Sequence, residues 1–139
     1  FTRSGCAKPA TAGRIMLTYL AVGLGGAVGA CLRYACNEAA LNVFGKSFPF
    51  GTLLVNILGS FVLGLLYALI STGALAAAPW RALVAIGLIG AFTTFSTFSL
   101  DTVLLLQQGA VLKALMNVFL NVLLCLTLAW LGLKLGSMK

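Results

Sequence analysis

Four long apolar runs, at about residues 16–36, 50–71, 81–107 and 109–136, constrain this chain more than any other feature. A run of about 20 apolar residues crosses a bilayer core of about 30 Å as a helix. The connections 37–49 and 72–80 are short, so nothing is left over for a soluble domain. Only 8% of the 139 residues are charged, against roughly 25% in soluble domains. The expected fold is an all-α membrane protein with four transmembrane helices spread over 16–139. Residues 1–15 are small, polar and basic, and read as a flexible leader or an upstream extension. They do not read as a signal peptide, because the apolar run that follows is long enough to span.

The net charge of +7 comes from scattered cations that mostly flank the spans, where Lys and Arg anchor helix ends. No basic stripe with interleaved aromatics exists, which argues against nucleic acid. There is no His, and the four cysteines (Cys6, Cys31, Cys36 and Cys125) form no CxxC pair, so the usual zinc sites are absent. The two carboxylates, Glu38 and Asp101, lie on different segments. No acid–base pair or triad can be assembled from them, which excludes the common enzyme chemistries.

Cation counts also bear on orientation. With four spans and Met16 as the first residue, one side holds Arg81, Lys134 and Lys139, and the other holds Arg33, Lys46 and Lys113. Cytoplasmic loops carry the Lys/Arg excess, and three against three gives no excess. Such a chain can insert both ways, and two opposed copies can pair as an antiparallel, dual-topology homodimer. Arg3, Lys8 and Arg14 make the count six against three if the leader is included. Four thin helices cannot enclose a pathway alone, which also favours an oligomer. Gly25 and Gly29 form a GxxxG face that lets backbones approach closely.

Polar groups at membrane depth need a partner or a task. Asn56, Ser60 and Tyr67 share one face of the second span; Asn117, Asn121 and Cys125 share one face of the fourth. Each set has a bland explanation in interhelical hydrogen bonding, but two parallel tracks point to a pathway. The third span carries TTFSTFS at 93–99, with five hydroxyls and two phenylalanines. Hydroxyls compete for backbone groups and fit a helix poorly, and Gly87 and Gly90 precede them. The sequence therefore predicts a third helix broken at its centre, near residues 90–94, with freed carbonyls and helix ends lining a cavity. Phe92, Phe95 and Phe98 recur every three residues; a stripe of this kind is usually packing, yet a ring's positive edge can face an anion. Hydroxyls and amides serve either sign of ion, so the residues alone do not choose. Asp101, if membrane-embedded, keeps open a proton-coupled exporter; a packing subunit without transport is a third reading.

Three stretches add a resemblance. GGAVGACLRY (25–34), GTLLVNILGSFVLG (51–64) and GLIGAFTTFSTFSLD (87–101) resemble the CrcB/Fluc fluoride channels. The resemblance implies a multi-pass inner-membrane homodimer, antiparallel, with two pores that passively export fluoride and so lower its toxicity. It implies a structural sodium ion at the dimer interface, held by backbone carbonyls that fall here on Gly90 and Thr93. It places the pore phenylalanines on Phe95 and Phe98, the pore asparagine on Asn56 and a vestibule arginine on Arg33. Thr94, Ser96, Asn117 and Cys125 complete the expected fluoride pathway. The chain departs from the pattern at Cys125 (serine in the family), Ala129 (threonine), Asp101 (glutamate) and Ala91 (glycine).

Overall fold

The computed structural model describes residues 12–138, and among these every regular element is helical. Helix α1 runs Ala12–Phe44 and α2 Phe50–Ser71. A short α3, Ala77–Trp80, leads into a π-helical segment, Arg81–Ile89, followed by α4, Gly90–Phe92. Helix α5 spans Phe95–Gln107 and α6 Val111–Ser137. Four stretches are long and apolar enough to cross a membrane: Ala12–Phe44, Phe50–Ser71, Arg81–Gln107 and Val111–Ser137.

The second, third and fourth runs lie where the hydropathy places them, to within two residues. The first differs. Its helix has 33 residues, about 50 Å at 1.5 Å per residue, and it continues past Cys36 through most of the expected connection. The apolar run marks the bilayer, not the helix end. Asn37–Phe44 holds several good helix formers and no proline, and the first stop signal is Gly45, at φ 73°. The helix also begins at Ala12, inside the segment read as a leader; residues 1–11 lie outside the described part. The second connection is not all loop either, since α3 occupies its last four residues.

The turn after α5 shows how the connections stay short. Gly109 takes φ 73°, Ala110 N–H reaches Leu105 O at 2.9 Å, and Gly109 N–H reaches Leu106 O at 3.0 Å. This pair of bonds closes the helix with a left-handed residue that glycine adopts without a Cβ penalty.

Small residues set the packing. Helix α2 packs most extensively on α6, and α1 on the π-helical segment. A Cβ on Gly25 or Gly29 of α1 would collide with the backbone at Leu83 or Leu88. On the other side, Gly64 meets the Ala129 carbonyl and Gly132 the Phe61 carbonyl. Lipid is as apolar as leucine, so helices associate through such close backbone contact. No spanning segment has more than a third of its most apolar stretch buried in the chain. The remaining apolar surface faces outward, in keeping with a bilayer around it.

Candidate functional site

Helical backbone stops at Phe92, and Thr93 and Thr94 are extended, with ψ 158° and ψ 109°. The reason lies in side-chain bonds that outcompete the helix. Thr93 still closes the preceding helix, its N–H and its Oγ1 both donating to Ile89 O at 3.0 Å; the competition starts at the next residue. Thr94 N–H, which an unbroken helix would direct to Gly90 O, donates instead to Asn56 Oδ1 at 2.8 Å. Thr97 N–H, which would go to Thr93 O, donates to Thr94 Oγ1 at 3.2 Å. Thr94 is thus the N-cap of α5, and a capping hydroxyl satisfies one of the amides a helix start leaves open.

The other hydroxyls of TTFSTFS are also bonded. Thr94 Oγ1 donates to Thr97 Oγ1 at 2.9 Å and lies 3.3 Å from Ser96 Oγ; Ser99 Oγ donates to Phe95 O at 2.9 Å. Each of the five hydroxyls therefore has a partner within the chain: Thr94, Ser96 and Thr97 at the discontinuity, Thr93 and Ser99 on the carbonyl four residues earlier.

Asn56 is the hub of a wider network. Its Nδ2 donates to Thr94 O at 3.2 Å and to Asn121 Oδ1 at 3.0 Å. With Oδ1 occupied by Thr94, both amide protons and the carbonyl are in use. Asn121 Nδ2 donates to Asn117 Oδ1 at 3.0 Å, and Asn117 Nδ2 to Thr102 Oγ1 at 2.9 Å. Thr102 Oγ1 closes the chain on Phe98 O at 2.8 Å. The network ties α2, α5 and α6 around the extended pair.

Beside it opens a cleft of about 360 Å³. Asn56, Ser60 and Thr94 contribute polar atoms to its wall, together with Asn121 and Cys125. Phe95 and Phe98 complete it, with ring centroids 5.4 Å apart and planes tilted by 52°. Phe98 is 9% exposed and Phe95 78%, so one ring is fixed in the core and the other stands at the open edge. No charged side chain lines the cleft. Its wall offers hydroxyls, amides, a thiol and two phenyl rings.

The expected site residues divide accordingly. Asn56, Thr94, Phe95, Phe98 and Cys125 come together at the cleft, as does Thr93. Asn117 is fully buried behind it, supporting Asn121. Ser96 touches Thr94 but does not line the cleft, and Arg33, on α1, stands apart from it. Three contributors were not singled out as site residues: Asn121, Gly59, and Ser60, which shares a helix face with Asn56. Asn121 carries the same four-residue spacing as Asn117 and Cys125, a visible signal. Gly59 had none: a Cβ there would collide with Thr93 Cγ2, so α2 seats the extended pair through Gly59 as well as Asn56.

Among the described residues no cluster of three or more His, Cys, Asp or Glu could hold a metal. The carbonyls of Gly90 and Thr93 do not receive the amides a regular helix would give them, since Thr94 N–H and Thr97 N–H donate to side chains.

The chain is similar to proteins named fluoride-specific ion channel FluC. It is 52% identical over 118 residues to the one from Pseudoalteromonas translucida, covering 85% of this chain and 98% of that protein. It is 51% identical over 124 residues to that of Aeromonas salmonicida, covering 89% and 99%. For Vibrio cholerae the figures are 50% over 111 residues, 80% and 88%. These relatives are named as channels, not as enzymes. The family model described as CrcB-like protein, Camphor Resistance (CrcB), matches residues 20–133. With that match over most of its length and about half of the aligned residues identical in several relatives, this multi-pass membrane protein belongs to the CrcB-like family.

Proposed function

We propose that the chain is a fluoride-selective channel that lets fluoride leave the cell passively across the inner membrane. The observation that carries this reading is the uncharged cleft at the Thr93–Thr94 discontinuity, walled by Asn56, Thr94, Cys125, Phe95 and Phe98. Weakly acidic HF enters a cell and dissociates at neutral pH; a passive pore then releases the trapped anion. Fluoride is small and strongly hydrated, so its water must be replaced by closely placed donors. Hydroxyls, N–H groups and the positive edges of Phe rings offer them, and a narrow rigid lining disfavours the larger chloride.

The segments on either side of Thr93 and Thr94 act, in this reading, as halves of one span broken at its centre. Two chains inserted in opposite orientations form a homodimer with two pores. The three-against-three count of flanking cations from Met16 onward supports this, as does Phe95, whose exposed ring a second chain would cover. A sodium ion at the interface fits the donor set. Gly90 and Thr93 present carbonyl oxygens relieved of their helical amides, hard ligands for a hard cation, and Gly90 is exposed on the single chain. Held by these carbonyls, sodium would supply positive charge that links the two broken spans.

The test is fluoride efflux from liposomes holding the purified protein and a potassium ionophore, with chloride-loaded liposomes beside them. Rapid fluoride loss with chloride retained is expected. Loss of neither ion would overturn the channel reading.

A further inference from the structure

Two side-chain oxygens at the discontinuity, Oδ1 of the half-buried Asn56 and Oγ1 of Thr94, each capture a backbone amide. In a regular helix Gly90 O would accept from Thr94 N–H and Thr93 O from Thr97 N–H. Both amides are diverted to side-chain acceptors: Thr94 N–H to Asn56 Oδ1 at 2.8 Å, and Thr97 N–H to Thr94 Oγ1 at 3.2 Å. The two carbonyls freed in this way are the two that the proposed sodium site uses. Asn56 has no N–H left to offer an anion, since its two protons go to Thr94 O and Asn121 Oδ1.

We infer that Asn56 and Thr94 are positioning residues for sodium: their side-chain oxygens hold two backbone amides away from Gly90 O and Thr93 O, so that these carbonyls can bind the cation. This rests on the sodium reading above. It gives Asn56 a task other than solvating fluoride, although Asn56 stands in the wall of the cleft. The network behind Asn56 fits the same task. Asn121, itself braced by Asn117, holds the Asn56 amide in the orientation that presents Oδ1, not Nδ2, to the Thr94 amide.

Outer partners of a metal site change its affinity by roughly 10–100-fold when removed. The experiment is a sodium titration of the purified dimer, started in N-methylglucamine buffer, read by thermal unfolding and by sodium-23 magnetic resonance. The wild type should show a saturable rise in Tm and line broadening on binding. In Asn56→Leu, Thr94 N–H can return to Gly90 O, and the sodium midpoint should rise by roughly 10–100-fold. Thr94→Val should do the same through Thr93 O, whereas Thr94→Ser, which keeps the acceptor, should titrate like the wild type. If Asn56→Leu does not assemble, the Thr94 pair decides alone.

Four outcomes are separable. A midpoint raised in Thr94→Val and kept in Thr94→Ser supports the inference. A general loss of stability with unchanged sodium midpoints in Asn56→Leu and Thr94→Val overturns it and leaves the sodium site standing. Equal weakening in Thr94→Ser and Thr94→Val overturns it as well, because the acceptor would then be irrelevant. A wild type with no response to sodium removes the sodium reading itself, and the inference with it.

Discussion

Thr52 on α2 donates a hydrogen bond of 2.7 Å to Oδ2 of Asp101 on α5. The carboxylate thus has a neutral hydroxyl partner one turn before Asn56 on the same helix, and the bond links α2 to α5 independently of the asparagine network. In a proton-coupled exporter this carboxyl would be the group to exchange protons; in the fold it links two helices.

Replacing Thr52 by Val should therefore lower stability by about 1.5–3 kcal/mol, the usual range for a bond to a charged group. Asp101→Asn keeps an acceptor for Thr52 and should unfold close to the wild type. Fluoride efflux from Asp101→Asn should not depend on an imposed pH gradient, in agreement with a passive pore. Transport that is driven by a pH gradient in the wild type and abolished in Asp101→Asn would favour the exporter.

The two rings differ in burial, and their substitutions should separate stability from conduction. Phe95→Ile touches a ring that is 78% exposed on the single chain, and Phe98→Ile one that is 9% exposed. Both should cut fluoride flux while the dimer still elutes at its size. Phe98→Ile should lower Tm, because mis-shaped core substitutions cost about 1–3 kcal/mol; a Tm loss in Phe95→Ile would report the cover that a second chain gives that ring. Full flux in both variants would take the rings out of the mechanism.

Gly59 and Thr93 form a testable pair. Gly59→Ala drives a methyl into Thr93 Cγ2, and a stiff β-branched side chain has little room to turn away. The substitution should lower stability by about 1–3 kcal/mol. Thr93→Ser, which has no Cγ2, should recover much of that loss in the double variant. A double-mutant cycle in detergent measures the coupling, expected at about 0.5–3 kcal/mol for residues in contact; additive effects would mean that the backbone moves and the contact is not tight.

Cys125 occupies the cleft beside Ser60, and a thiol donates more weakly than a hydroxyl. Cys125→Ser should raise the fluoride efflux rate, measured at equal protein density in liposomes. A slower variant would show that a stronger donor at this point traps the ion or that the thiol acts only in packing.

The sequence by itself determined the local properties of this protein. Hydropathy located the spans, because a bilayer of fixed thickness demands a fixed apolar length. Four-residue spacing put Asn117, Asn121 and Cys125 on one helix face. The hydroxyl run identified residues whose side chains compete for backbone groups, since Thr and Ser carry their own acceptors. It misplaced the end of α1, because hydropathy reports lipid contact and not backbone hydrogen bonding; the helix runs on to the first glycine that accepts a positive φ.

The tertiary structure decided which groups meet. Asn56 and Thr94 are 38 residues apart, and Asn56 and Asn121 are 65 apart. Their bonds depend on how α2 and α6 are rotated and how closely their glycines let them approach, and periodicity within one helix carries no information about its rotation against another. For the same reason Gly59 gave no sign of its contact with Thr93. The sequence could name the polar residues in the membrane. Only the packed helices decided that Thr94 N–H goes to Asn56 and leaves the Gly90 carbonyl open, because that choice is made between two acceptors, one local and one brought from a different helix.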